Sequence, residues 1–159
     1  MRWPGRIAPG STYAKPVAHV DIFSTAAAVA GAALPADRKI DGVNLLPFLA
    51  GTDSGRPHRT LFWRSGPYAT LLDGDWKLQA MDRPFKKVWL FDLKSHPTEK
   101  TNLASRDPAE AGALLRELRT ISAQQARPIW PSLLLGPQAV DHPLSYPTKP
   151  GDEIIWWAN

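Results

Sequence analysis

Apolar and polar positions change period twice along this chain. Ile22, Phe23, Ala26, Val29 and Ala30 recur at helical spacing behind Asp21, an acid placed for an N-cap or a first turn, and Gly31 follows as a stop. That spacing predicts a helix over 20–30, and Leu45 to Leu49 predict a short helical turn closed by Gly51. From Leu61 the period becomes two, and strands are expected at 61–63, 68–72, 75–80 and 88–93. Between the second and third lies Asp73-Gly74, a two-residue linker of the kind that forms a type I′ hairpin. Tyr68, Thr70 and Leu72 then share one face of their strand, and Trp76, Leu78 and Ala80 one face of the next. The helical period returns at 108–126, where Ala111, Leu114, Leu115, Leu118 and Ile121 form one apolar stripe. Asp107, Pro108 and Glu110 supply its cap, its first-position proline and an acid three residues on. The expected fold class is α+β, a four-stranded antiparallel sheet with a helix covering one face.

The flanking segments are less regular. Residues 1–18 carry the turn signals Trp3-Pro4-Gly5 and Pro9-Gly10 and read as a strand end and a loop, while the polar stretch 52–59 reads as a surface loop. Beyond Arg127, prolines at 128, 131, 137, 143, 147 and 150 exclude long helices and central strands. Ile129-Trp130 and Ile154-Ile155-Trp156-Trp157 are nevertheless too apolar for a free tail. An extended arm is expected, packing its tryptophans on a surface that belongs to something else.

Composition changes this picture little. Of 159 residues, 43% are hydrophobic, and sixteen prolines and eleven glycines make up about 17%, short of the roughly 25–30% that signals low complexity. The net charge of +4 comes from 19 basic and 15 acidic residues scattered along the chain, which argues against a nucleic-acid footprint. No run approaches the ~18 apolar residues of a membrane span. There is no cysteine, hence no disulfide, thiolate metal site or cysteine nucleophile.

Chemistry-bearing motifs are sparse. His19, His58, His96 and His142 form no pair at metal-binding spacing, and Asp73 and Asp75 are accounted for by turn chemistry. Ser11, Ser24 and Ser132 lie in no Gly-x-Ser-x-Gly elbow, and no glycine-rich phosphate loop is present. The residues alone stop at an α+β module without a complete active site.

An ordered string of local patterns goes further. Arg2-Trp3-Pro4-Gly5 with Pro9-Gly10-Ser11, His19-Val20-Asp21-Ile22-Phe23-Ser24-Thr25, and Asp41-Gly42-Val43-Asn44-Leu45-Leu46-Pro47 come first. Leu61-Phe62-Trp63-Arg64, Asp73-Gly74-Asp75-Trp76-Lys77-Leu78, Leu90-Phe91-Asp92-Leu93 and Pro97-Thr98-Glu99-Lys100-Thr101-Asn102-Leu103 follow. Together they resemble the C-terminal third of a formylglycine-dependent (type I) sulfatase of the alkaline phosphatase-like superfamily. Pro128-Ile129-Trp130-Pro131-Ser132 and the closing Ile155-Trp156-Trp157-Ala158-Asn159 resemble the terminal arm of some bacterial members. Two positions depart from the family pattern, Ser24 in place of a usual proline and His96 in place of a common aspartate.

The resemblance implies residues 1–58 as the end of a large α/β domain, 59–127 as a small sheet-and-helix subdomain and 128–159 as the Pro/Trp-rich arm. It implies hydrolysis of a sulfate monoester by a parent enzyme using formylglycine and calcium. The nucleophile motif and the calcium ligands have no counterpart here, so no catalytic or metal residue is assigned, and inactivity of the chain alone is expected. The residues expected to contact substrate are His58, Trp63 and Arg64, since an arginine can pair bidentately with sulfate oxygens. Residue by residue, a core role for Trp63 and a solvated end of strand for Arg64 are the simpler alternatives. The helix over 20–30, deprived of its sheet, is expected to expose an apolar face that needs cover. The implied partners are an N-terminal sulfatase portion, on the same or a separate chain, and a sulfated small molecule or glycan, with neither nucleic acid nor membrane. The family expectation for compartment is periplasmic or secreted.

Overall fold

A computed structural model describes residues 1–127, 129–130, 135–143 and 145–158. The chain divides into two compact units, Met1–Arg59 and Thr60–Asn159.

The second unit is built on the antiparallel sheet β1 (Thr60–Ser65), β2 (Tyr68–Asp73), β3 (Trp76–Met81) and β4 (Lys87–Asp92), paired in that order. Strict alternation sorts the side chains. Phe62, Leu71, Leu78 and Leu90 stand opposite one another across the strands and point to one face. Leu71, Leu78 and Leu90 are fully buried there against Ala111, Leu114 and Leu118 of a helix, Pro108–Gln124. Full burial of each leucine contributes about 1.5–3 kcal/mol. The helix begins as expected, with Asp107 Oδ1 accepting from the Glu110 N–H at 3.2 Å.

The β2–β3 hairpin is shifted by one residue from expectation. Asp73 pairs with Trp76, which leaves Gly74-Asp75 as the loop. Positive φ falls on Gly74 at 61° and not on Asp75, which suits a type II′ turn better than the type I′ turn the Asp-Gly pair suggests.

The arm also differs from expectation. Leu135–Ala139 (β5) and Ile154–Ala158 (β6) pair as an antiparallel hairpin. Instead of reaching away, β6 packs on the sheet face opposite the helix, where Ile155 is buried with Met81, Trp89 and Phe91. The Trp157 ring lies 6.0 Å from that of Tyr68. Pro137 is tolerated because a two-stranded ribbon leaves each strand a free edge. Ile129 and Trp130 remain exposed, and Pro128, Pro131, Ser132 and Asn159 lie outside the described residues.

The first unit holds α1 (Asp21–Ala30) and α2 (Leu46–Leu49), both close to expectation, and we label the helix of the second unit, Pro108–Gln124, α3. Residues 1–18, expected to include a strand end, form turns and irregular chain. No helix among the described residues is long and apolar enough to cross a membrane.

Candidate functional site

The polar centre of the first unit is Asp21, which is fully buried. Its Oδ2 accepts from the Ala18 N–H at 2.8 Å, and its Oδ1 accepts from the Val43 N–H at 2.9 Å and from His58 Nε2 at 2.7 Å. Burial alone would raise the carboxyl pKa, but the two backbone donors and His58 outweigh it and hold the group below its usual value. Ser24, also buried, donates to the Gly42 carbonyl at 2.8 Å, and the Leu45 N–H donates to Thr25 Oγ1 at 3.0 Å. Ser24 thus uses a hydroxyl that the family's usual proline lacks. A side chain at Gly42 would bring its Cβ within 2.1 Å of the Val20 carbonyl oxygen, so only glycine lets the 42–45 loop lie this close to the start of α1.

These contacts turn α1 inside out. Asp21, Ser24 and Thr25 face inward, while Ile22 and Phe23 are 65% and 55% exposed and Val29 and Ala26 are exposed beside them. The apolar stripe read from the sequence is present and points to solvent.

Of the residues expected to contact substrate, His58 belongs to the first unit and is spent on Asp21. Trp63 and Arg64 are neighbours on β1 and alternate to opposite faces, so they do not share a site. Arg64 reaches α3, donating to the Ser122 carbonyl and Oγ at 3.2 Å each and to the Ala126 carbonyl at 2.8 Å. It closes the C-terminal end of that helix, where carbonyls lack partners. Trp63 lies on the other face, in one row with Thr70, Gln79 and Trp89, and is 42% exposed.

That outer face forms a groove of about 860 Å³ lined by Tyr68, Gln79, Trp89, Glu99, Asn102 and Glu153 among others. Both of its glutamates are paired. Glu99, at a left-handed φ of 53°, accepts from Lys77 Nζ at 2.7 Å and from Gln79 Nε2 at 3.0 Å. Glu153 accepts from Trp89 Nε1 at 2.5 Å and pairs with Lys87. The sequence offered the Pro97-Thr98-Glu99 turn as a pattern, but gave no sign of which strand residues it would cover.

Among the described residues, the nearest approach to a nucleophile and base is Ser95 Oγ, 2.9 Å from His96 Nδ1. The Ser95 hydroxyl donates to Asp92 Oδ2 at 2.5 Å, so His96 faces an oxygen whose proton is already directed elsewhere and does not activate it.

Comparison with known proteins places this geometry. No family model matches the chain. Steryl-sulfatase of Rattus norvegicus is 44% identical over 68 residues, 43% of this chain and 12% of that protein. The uncharacterized sulfatase YdeN of Escherichia coli (strain K12) is 41% identical over 63 residues, 40% of this chain and 11% of that protein. Among solved structures, Ps i-CgsB in complex with k-i-k-neocarrahexaose superimposes with a TM-score of 0.67 at 25% identity, over 80% of this chain and 29% of that one. The α+β sheet-and-helix arrangement is therefore that of sulfatases, and the chain corresponds to a C-terminal portion of one. It spans about an eighth of the length of the curated relatives it matches.

Proposed function

We propose that this chain supplies the C-terminal share of an arylsulfatase-like sulfuric ester hydrolase and hydrolyses no sulfate ester by itself. The inverted face of α1 carries this reading. A helix that buries Asp21, Ser24 and Thr25 and exposes Ile22, Phe23 and Val29 has its apolar side ready for a second surface. In the resemblance, that surface is the sheet of the large domain, which belongs to an N-terminal portion of the enzyme.

Formylglycine and calcium, implied by the family, do not fit the residues present. There is no cysteine to convert, and no serine stands in the family's nucleophile motif. Calcium takes six to eight oxygen ligands, whereas both oxygens of Asp21, the buried carboxylate among the described residues, are taken by hydrogen bonds within the first unit. For the assembled enzyme, the substrate class we propose is a sulfated small molecule or glycan. The steryl-sulfatase name supports the first and the carrahexaose bound to Ps i-CgsB supports the second. Trp63, partly exposed on β1, is the residue we propose as a border of the substrate cleft.

The purified chain, incubated with p-nitrophenyl sulfate and calcium, should show no turnover above background, and turnover would overturn the proposal. A second reading, supported by the same face, has the chain docking on a separate N-terminal sulfatase chain. The reading frame upstream of the Met1 codon separates the two. An open frame carrying a C-x-P-S-R motif favours one continuous enzyme, and a stop codon with a promoter favours separate chains.

A further inference from the structure

The connection between β5 and β6 contains a titratable cluster that the sulfatase reading does not use. His142 Nδ1 lies 3.1 Å from the Pro143 carbonyl oxygen, and Nε2 lies 2.9 Å from Asp152 Oδ2. Both partners accept and neither donates. A neutral imidazole has one N–H and would set a ring lone pair against one of these oxygens, whereas imidazolium satisfies both. Among the described residues, the other groups around the ring are Asp141, with Oδ1 3.9 Å from Nε2, and Tyr146, its ring centroid 6.3 Å away. Lys149 faces Asp152, whose Oδ2 also accepts from the Lys149 N–H at 2.5 Å.

The cluster joins the two ends of the hairpin. Asp141 and His142 follow β5, Asp152 precedes β6, and Asp141 Oδ2 accepts from the Glu153 N–H at 3.1 Å. Two residues further, Ile155 and Trp156 pack on the sheet, with the Trp156 N–H 3.1 Å from Met81 Sδ.

We propose that protonated His142, bridging Pro143 and Asp152, is a pH-sensitive latch that closes the β5–β6 connection and so holds the hairpin on the outer face of the sheet. Asp141, His142 and Asp152 also offer three ligand atoms within 4.8 Å of one another. The contacts favour a proton over a cation there, because Asp152 Oδ2 already accepts from Nε2 and the Lys149 N–H, and Asp141 Oδ2 is engaged by Glu153. The bonds to Asp152 and to the Pro143 carbonyl raise the His142 pKa, while the Lys149 N–H and His142 lower that of Asp152. The latch is therefore at full strength below the ordinary histidine value of about 6.5 and is lost as pH rises through the raised value. At the acid end it is lost as pH falls through the depressed value of Asp152.

The test is an imidazole nitrogen NMR titration of the full chain, with the His142 signal assigned by its loss in His142→Gln. A His142 midpoint above about 6.5 that moves down in Asp152→Asn supports the latch. So does protection of the β6 amides, corrected for intrinsic exchange, that declines above this midpoint in the native chain and stays level in His142→Gln. A native midpoint at or below the ordinary value, or one unmoved in Asp152→Asn, overturns it. Displacement of the His142 proton by equimolar zinc at neutral pH also overturns it, in favour of a cation site. Where His142→Gln fails to fold, the ring signal is assigned instead through backbone-to-ring connectivities in the native chain, and the native midpoint still decides the matter.

Discussion

The two units bury opposite kinds of residue. In the second, the fully buried side chains Leu71, Leu78 and Leu90 meet a helix that was apolar on the facing side. In the first, the side chains sealed from solvent are Asp21 and Ser24, and the large apolar ones of α1 are outside. The second unit closes its own core by the hydrophobic effect. The first holds its loop by directed hydrogen bonds and leaves an apolar face over. A helix facing the wrong way for its own unit leaves its apolar side open to a surface beyond it, which is the feature on which the proposed docking rests.

The contrast can be broken most severely in the second unit. Leu78→Ala removes a fully buried side chain between sheet and α3 and should cost about 2–5 kcal/mol, read as a lower urea midpoint at unchanged slope. Next comes Asp21→Ala, which leaves the Ala18 and Val43 N–H groups without their acceptor and His58 without its partner. A loss of about 3 kcal/mol is expected, seen as faster hydrogen exchange at the α1 amides. The same carboxylate sets an acid limit. Because its pKa is depressed in the folded state, its stabilisation is present above the ordinary carboxyl value of about 3.9 and is lost as pH falls through the depressed one. Protection of α1 should fall at that acid limit in the native chain and show no such step in Asp21→Asn. Smaller still is Arg64→Ala, which opens the end of α3 at an exposed position and should cost about 0.5–1.5 kcal/mol, measured by urea unfolding.

Much of this was legible in the sequence because it is local. The alternation over 61–93 gave the four strands, and the Asp107-Pro108 start with its stripe gave α3. The direction of α1 was harder, since a periodic stripe shows that one side is apolar and not what lies against it. Only the resemblance, with its missing sheet, suggested an outward face. The remaining partners are far apart along the chain. Asp21 meets His58 across 37 positions and Arg64 meets Ala126 across 62, and no local pattern reports such pairs. The β5–β6 hairpin was hidden for another reason, because the prolines that excluded a central strand left a two-stranded ribbon open.

Hydrogen exchange of the α1 amides in Ile22→Lys/Phe23→Lys tests the central claim most directly. If this face is free for a partner surface, two lysines at positions 65% and 55% exposed change local stability by no more than about 0.5 kcal/mol, and exchange stays within roughly threefold of the native chain. Exchange accelerated to the level of Asp21→Ala would show the face to be packed within the chain itself, and the docking account would be wrong.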